Sequence, residues 1–329
     1  MELVINTFGT SLTRNGDGFV INGKDGSHRV PSESVSSILI GKGVQMTSDA
    51  VMLAVEKEIE VLFVGKSGDP VGRVWSPKYG SVSTIRKGQL NFSYSKEAVD
   101  WIKNIIMKKI ENQQALLLMM MTDGVTEAIV KKSVGRLEDY RKKIDALVGD
   151  MVSVVAPKIR GWEGVSSKIY FETLNLFIPE QFRFETRSQH PAKDVVNALL
   201  NYGYGLLYGK IEGALIKVGI DPYIGVMHRD DYNRPVLVYD VIELYRIWVD
   251  FVVYSLVAQG SVTSDYYSCR EDGSYWLESM GRRVLIQSIN DYLDEEITVK
   301  GVVRSRATHI FLYVQSLAQE FKKFEKNRE

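Results

Sequence analysis

The sequence predicts an α+β fold, with a small, mostly-β N-terminal domain followed by a larger all-α domain. Three observations carry this reading. Short apolar runs broken by Asn-Gly and Asp-Gly pairs fill the first part of the chain. Apolar residues at helical spacing dominate the remainder. The length of 329 residues suits two domains at roughly 100 to 200 residues each.

In chain order, Leu3-Val4-Ile5 opens the β domain as a strand. Asn15-Gly16-Asp17-Gly18 and Asp25-Gly26-Ser27 flank Phe19-Val20-Ile21. Such turns tolerate the positive φ that tight hairpins need, so two or three consecutive hairpins are expected. Ser36-Ser37-Ile38-Leu39-Ile40 reads as a further strand. One helix follows, with N-cap candidates in Thr47-Ser48-Asp49 and an apolar face of Val51, Leu53, Ala54 and Val55. Ile59 to Val64 and Val71 to Trp75 return to strand character. These elements place the β domain at residues 1–88, a polar linker at 89–95 and the helical domain at 96–329. In the last of these, Trp101, Ile102, Ile105, Ile106 and Ile110 recur at helical spacing. The same period returns at Asp194 to Ile220, Val236 to Val257, Arg282 to Tyr292 and Ile310 to Phe324. From Lys322 the charges alternate, and the end is expected to fray.

Composition narrows the function. Apolar residues make up 45% and charged residues 25%, values of a soluble globular protein that exclude collagen-like, disordered and coiled-coil classes. The single cysteine, Cys269, rules out an internal disulfide and a thiolate zinc cluster, and suits a reducing cytoplasm. No targeting segment is read at Met1-Glu2, and the apolar run Ala115 to Met121 falls far short of the roughly 20 residues that span a bilayer. A soluble, cytoplasmic protein is therefore expected. Lys+Arg and Asp+Glu balance at 41 each, so any contact with DNA must come from local basic patches.

Four histidines are present: His28, His190, His228 and His309. His228 stands out because it ends Gly219-Ile220-Asp221-Pro222-Tyr223-Ile224-Gly225-Val226-Met227-His228, where a helix stops at glycine and a Pro turn redirects the chain. Asp240 and Glu243 follow, three residues apart at the start of an apolar helix, and so share a side. Glu163 lies in the glycine-flanked run Arg160-Gly161-Trp162-Glu163-Gly164. An imidazole with two or three carboxylates is a mixed nitrogen and oxygen set that suits Mg2+ or Mn2+. Acidic residues at i and i+3 are common on helices, and by spacing alone Asp240 serves equally as a helix cap and Glu243 as a solvated side chain.

These residues carry a resemblance. Asp221 to His228, continued by Pro235-Val236-Leu237-Val238-Tyr239-Asp240-Val241-Ile242-Glu243-Leu244-Tyr245-Arg246, resembles the signature of the CRISPR-associated integrases of spacer acquisition, the Cas-one family. Two upstream blocks agree in order and spacing: Arg160 to Gly164 with Tyr170-Phe171, and Asn197-Ala198-Leu199-Leu200-Asn201-Tyr202-Gly203-Tyr204. The resemblance implies that Glu163, His228 and Glu243 are the catalytic, metal-binding positions for Mg2+ or Mn2+. Asp240 matches a further acidic position, as a ligand or as an acceptor that orients one. Arg246 matches a basic position suited to a phosphate oxygen or to holding the carboxylates. Ile247 departs from the proline that many members carry there.

The implied reaction is transesterification. A 3′-hydroxyl of a captured DNA fragment attacks a phosphodiester at a CRISPR repeat boundary, and metal-dependent nuclease activity accompanies it. The resemblance also implies a homodimer through the β domain and a small ferredoxin-like partner, Cas-two. For DNA contact, Arg86 and Gln89 resemble a family Arg and Gln pair, and Arg246, Lys103, Lys108 and Lys109 are further candidates. The helical stretch with Lys131, Lys132, Arg136, Arg141, Lys142 and Lys143 reads equally well as a solvated face with ion pairs. Tyr202, Tyr204 and Tyr208 are expected in the core. Two other classes compete with the integrase: a non-catalytic DNA-binding scaffold of the same fold, expected if the three ligand positions do not converge, and a metal-dependent phosphohydrolase of small esters.

Overall fold

The computed structural model describes residues 1–24, 26–35, 37–57, 59–64, 70–74, 82–121, 124–189, 191–228 and 234–325. It divides into two compact units, Met1–Ser81 and Val82–Glu329.

The first unit holds two four-stranded sheets. One orders β1 (Glu2–Ile5), β5 (Ser37–Ile40), β7 (Glu60–Val64) and β8 (Pro70–Arg73), with β1, β5 and β7 parallel and β8 antiparallel to β7. The other orders β4 (Gly26–Pro31), β3 (Gly18–Gly23), β2 (Ser11–Asn15) and β6 (Gln45–Met46), the first three forming consecutive hairpins. Gly16, at φ +60°, supplies the left-handed backbone that the β2–β3 turn needs. Alternation sets the core: Leu3 and Ile5 are buried while Val4 between them faces out. Helix α1 (Ser48–Glu56) packs against it through Ala50, Leu53 and Ala54, and Thr47 caps it by accepting from the Ala50 N–H. The hairpins agree with the expectation. The parallel ladder does not show in the sequence, because register between distant strands is a tertiary property.

The second unit begins earlier than expected. The polar stretch read as a linker at 89–95 lies mostly in α2 (Val82–Ser93), and α2 belongs to the helical unit. Its Gly88 meets α10 (Arg306–Lys323) so closely that an added Cβ would lie 1.8 Å from the Phe321 carbonyl oxygen. Then come α3 (Lys96–Met120), α4 (Gly124–Asp145), α5 (Val152–Leu174) and α6 (Val195–Lys217). The predicted helix from 236 to 257 is two helices, α7 (Val236–Ile242) and α8 (Arg246–Ala258). At the break, Leu244 and Tyr245 donate to carbonyls three residues back, tightening the last turn of α7. Ile247 is the second residue of α8, a first-turn position where proline is also tolerated. Helix α9 (Ser279–Asp294) precedes α10.

Two small hairpins interrupt a domain expected to be all helical: β9 (Tyr267–Cys269) with β10 (Tyr275–Leu277), and β11 (Glu296–Val299) with β12 (Val302–Ser305). Lys300 and Gly301, both at positive φ, make the second turn. Among the described residues no helix is long and apolar enough to cross a membrane.

Candidate metal centre

The loop between α6 and α7 is built to present His228. Helix α6 ends at Gly219, φ +86°, and Ile220 donates back to Leu215. Gln89 of α2 then pins the turn that follows: its Nε2 donates to the carbonyls of Asp221 at 2.7 Å and Ile224 at 3.0 Å, and its Oε1 accepts from the Asp221 N–H at 3.0 Å. Gly225 permits a tight approach, since a Cβ there would lie 2.4 Å from the His228 carbonyl oxygen. Asp240, fully buried on α7, gathers the rest. Its Oδ2 accepts from the N–H groups of Val226 and Met227 at 2.8 and 3.1 Å, and its Oδ1 accepts from the His228 N–H at 3.3 Å. The same Oδ1 lies 2.7 Å from Nδ1 of the imidazole. With Nδ1 engaged by Asp240, Nε2 is the ring nitrogen left for another partner, and the carboxylate fixes the orientation of the imidazole.

Glu163 and Glu243 meet elsewhere in the same region, on one ammonium. Lys109 of α3 pairs with Oε1 of Glu163, on α5, and with Oε2 of Glu243, at the end of α7, the latter at 2.5 Å. Ser167 donates to Glu163 from one turn further along α5, at 2.9 Å. Arg246 Nε holds the other oxygen of Glu243 at 2.8 Å, and its guanidinium stacks over the Tyr204 ring at 4.7 Å. Behind it Asp250 accepts from the hydroxyls of Tyr204 and, at 3.0 Å, of Tyr170. Asn112 fixes the α7–α8 break by donating to the Leu244 carbonyl at 3.1 Å.

The charges tune one another. Burial acts to raise the Glu243 carboxyl, but Arg246 and Lys109 outweigh it and bring the group down to about 2. Burial acts to lower the Lys109 ammonium, and Glu243 with Glu163 raises it. Burial pushes the Asp250 carboxyl up, against the hydroxyls of Tyr204 and Tyr170. A cleft of about 260 Å³ opens beside these groups, lined among others by Lys109, Gln113, Glu163, Glu243 and Arg246.

The donor chemistry of the pair fits a hard divalent cation. Two carboxylates converge on one positive atom, and Oε2 of Glu243 is buried with an ionic contact but no directed hydrogen bond. His228 is not gathered with them: among the described residues no three His, Cys, Asp or Glu side chains come together as a metal-holding group. Its loop is nevertheless moored to the Glu163 helix, where Arg160, one turn before Glu163, donates to the Met227 carbonyl at 3.3 Å.

Two expected DNA contacts are corrected. Gln89 is fully buried, and its amide is spent on the 221–224 turn. Lys109 is buried between the two glutamates and cannot face a duplex. Its place was legible, for it falls with Ile102, Ile106, Gln113 and Leu117 on the buried stripe of α3. Arg246 is committed to Glu243 and Tyr204. Lys103 donates to the Leu147 carbonyl at 2.9 Å. Lys108 stays exposed beside Glu111, and Arg86 is partly exposed with Nε 3.9 Å from Asp221.

On the next helix Lys131 pairs with Glu127 and Arg141 with Glu138, the solvated-face reading. Tyr204 and Tyr208 are packed against the core as expected, the Tyr208 hydroxyl donating to the Pro235 carbonyl at 3.2 Å. His309 is buried and bonded to the Ile297 carbonyl, His28 lies exposed on β4, and His190 lies outside the described residues. Sequence reasoning missed Ser167 and Asp250, whose roles depend on which helices meet.

A family model described as CRISPR associated protein Cas1 matches residues 3–291. The chain is similar to the CRISPR-associated endonuclease Cas1 1 of Archaeoglobus fulgidus, 29% identical over 332 residues that cover 96% of this chain and 95% of that protein. Among solved structures its fold is similar to a chain of a Cas6-RT-Cas1–Cas2 complex, with TM-score 0.78 and 21% identity over 98% of this chain and 35% of that one. The chain thus spans about a third of that longer protein. It is also similar to a casposase bound to integration product, with TM-score 0.66 and 21% identity over 100% of this chain and 99% of that one.

Proposed function

Because the chain belongs to the Cas1 family of CRISPR-associated proteins, we propose that it is a metal-dependent DNA integrase and endonuclease of CRISPR adaptation. The observation that carries this is the convergence of Glu163 and Glu243 on a single cationic atom beside a cleft. Those carboxylates would hold Mg2+ or Mn2+, with His228 as third ligand by the family resemblance. The bound ion would polarise the scissile phosphodiester and lower the pKa of the attacking hydroxyl.

The chain's own residues supply placement. Asp240 fixes the imidazole and the backbone of residues 226–228, Arg246 fixes Glu243, and Ser167 fixes Glu163. In the reaction the 3′-oxygen of a fragment forms a bond to phosphorus and the P–O3′ bond at the repeat boundary breaks, so that phosphorus stays on the 5′-oxygen of the repeat and a 3′-hydroxyl departs. The proton lost by the incoming hydroxyl matches the one gained by the departing hydroxyl, so neither ATP nor a covalent enzyme intermediate is needed. Water in place of the sugar hydroxyl gives the nuclease reaction. DNA would meet the exposed cations, Lys108 and Arg86 among the expected contacts. A homodimer formed through the first unit, with a ferredoxin-like Cas2 as partner, completes the reading. The fold likeness to a chain of a complex containing Cas2 supports that partner.

The test combines the purified protein, its Cas2 partner, a fragment with a free 3′-hydroxyl and a repeat-containing plasmid, with and without Mn2+. Joining should require the metal, and Glu163→Ala, His228→Ala or Glu243→Ala should each reduce it at least 100-fold. Near-normal joining by any one of them removes that residue from the assignment. The separation of His228 from the glutamate pair favours a second reading, a DNA-binding scaffold of the same fold. In that case DNA is bound, but no joining or cleavage occurs with either ion.

A further inference from the structure

Lys109 is a lysine in a core position of α3, and it sits on the two carboxylates that the metal-dependent reading gives to a divalent ion. The competition is direct at Glu243. Its Oε1 is held by Arg246, so Oε2 is the oxygen left for an ion, and Oε2 is the one that faces the ammonium at 2.5 Å. A divalent cation and an ammonium cannot share that oxygen pair without close like-charge repulsion. The ammonium therefore needs somewhere to go.

The same helix offers a place. Gln113, one turn on from Lys109, is 4% exposed and lines the same cleft, and its Oε1 is buried without a hydrogen-bond partner. A buried acceptor left unmade is costly, and the natural donor for it is a nearby cation. Residues at i and i+4 lie on one helix face about 6 Å apart, within reach of a lysine side chain turning about its own bonds.

We propose that Lys109 is a displaceable occupant of the metal site, which clamps Glu163 to Glu243 in the metal-free protein and moves to Oε1 of Gln113 when a divalent ion takes the carboxylates. The inference rests on the metal-dependent reading above. It makes Lys109 a positioning residue: it keeps the two ligands facing each other and sets the affinity that an ion must overcome.

The experiment titrates Mn2+ into the full chain at fixed pH, reading bound metal by electron paramagnetic resonance, for wild type, Lys109→Met, Lys109→Gln, Gln113→Leu and Glu163→Gln. Both Lys109 variants should bind Mn2+ at least ten-fold more tightly than wild type, and Gln113→Leu several-fold more weakly. Glu163→Gln should lose most of the binding, which marks the site. Metal-free Lys109→Gln should melt lower than wild type and gain more from added Mn2+.

Lys109 variants that bind equally or more weakly, while wild type binds and Glu163→Gln does not, overturn the displacement and leave the metal reading intact. Absence of binding in wild type and in both Lys109 variants overturns both. Should the Lys109 variants fail to fold, Gln113→Leu decides: its Mn2+ affinity should fall several-fold below that of wild type, and an affinity equal to or above that of wild type overturns the proposal.

Discussion

Asp240 shows how one buried side chain can organise a site. Three backbone N–H groups and an imidazole converge on its two oxygens, so its removal orphans several donors at once. Asp240→Ala should cost at least about 3 kcal/mol in urea denaturation, from unmet buried donors. It should also lower strand joining about 10- to 100-fold through loss of the imidazole's orientation. Glu243 gives a pH test. Its folded carboxyl lies at about 2 against an ordinary 4.5, so its contribution is present above pH 4.5 and is lost as pH falls toward 2. That shift corresponds to about 3 kcal/mol. In metal-free buffer the wild-type unfolding free energy should therefore fall between pH 5 and pH 3 by more than that of Glu243→Gln; equal slopes would contradict the charge assignment. At this scale Glu163, Asp240, Glu243 and Arg246 were legible from motif order, because each stands in a distinctive local run. Gln89 and Lys109 were placed on DNA because residue type reports polarity and charge but not direction.

Helix α2 is where the sequence reading failed most clearly, and the reason is specific. Gly88, Gln89, Asn91 and Ser93 look like a linker, yet Gly88 is the contact point with α10 and Gln89 is buried against the 221–224 turn. Polar residues in a helix are legible as buried only when their partners are known, and those partners lie far along the chain. Gly88→Ala should force α2 from α10 and cost about 1–3 kcal/mol of unfolding free energy in urea denaturation. Gly205→Ala in α6, with open space around the added Cβ, should instead gain about 0.5–1 kcal/mol. Similar losses at both positions would discount the close contact. The break between α7 and α8 was hidden for a related reason: the apolar period runs through it unchanged, while the hydrogen bond from Asn112 that fixes it comes from α3. The β11–β12 hairpin at Lys300-Gly301 was not read from the sequence, although a glycine-containing pair between β-branched residues is a hairpin signal.

Across the whole chain the charges cancel, 41 against 41, and several of the cations are committed to ion pairs within the fold. Affinity for duplex DNA should therefore carry a modest salt slope, roughly −0.9 for each phosphate neutralised. Binding measured by anisotropy between low and moderate salt gives the slope directly, and an affinity independent of salt would remove phosphate contacts from the reading. The sequence by itself determined the order of a strand-rich unit and a helical unit, the hairpins of the first, and the motifs that hold Glu163, His228, Asp240 and Glu243. Periodicity, turn chemistry and motif spacing are all properties of neighbours along the chain. Tertiary structure alone decided that α2 joins the helical unit, that Asp240 grips the His228 loop, and that a lysine from α3 lies between carboxylates from α5 and α7. Those contacts join residues far apart in sequence, and only the packing of helices, which balances buried charge against buried charge, brings them within bonding distance.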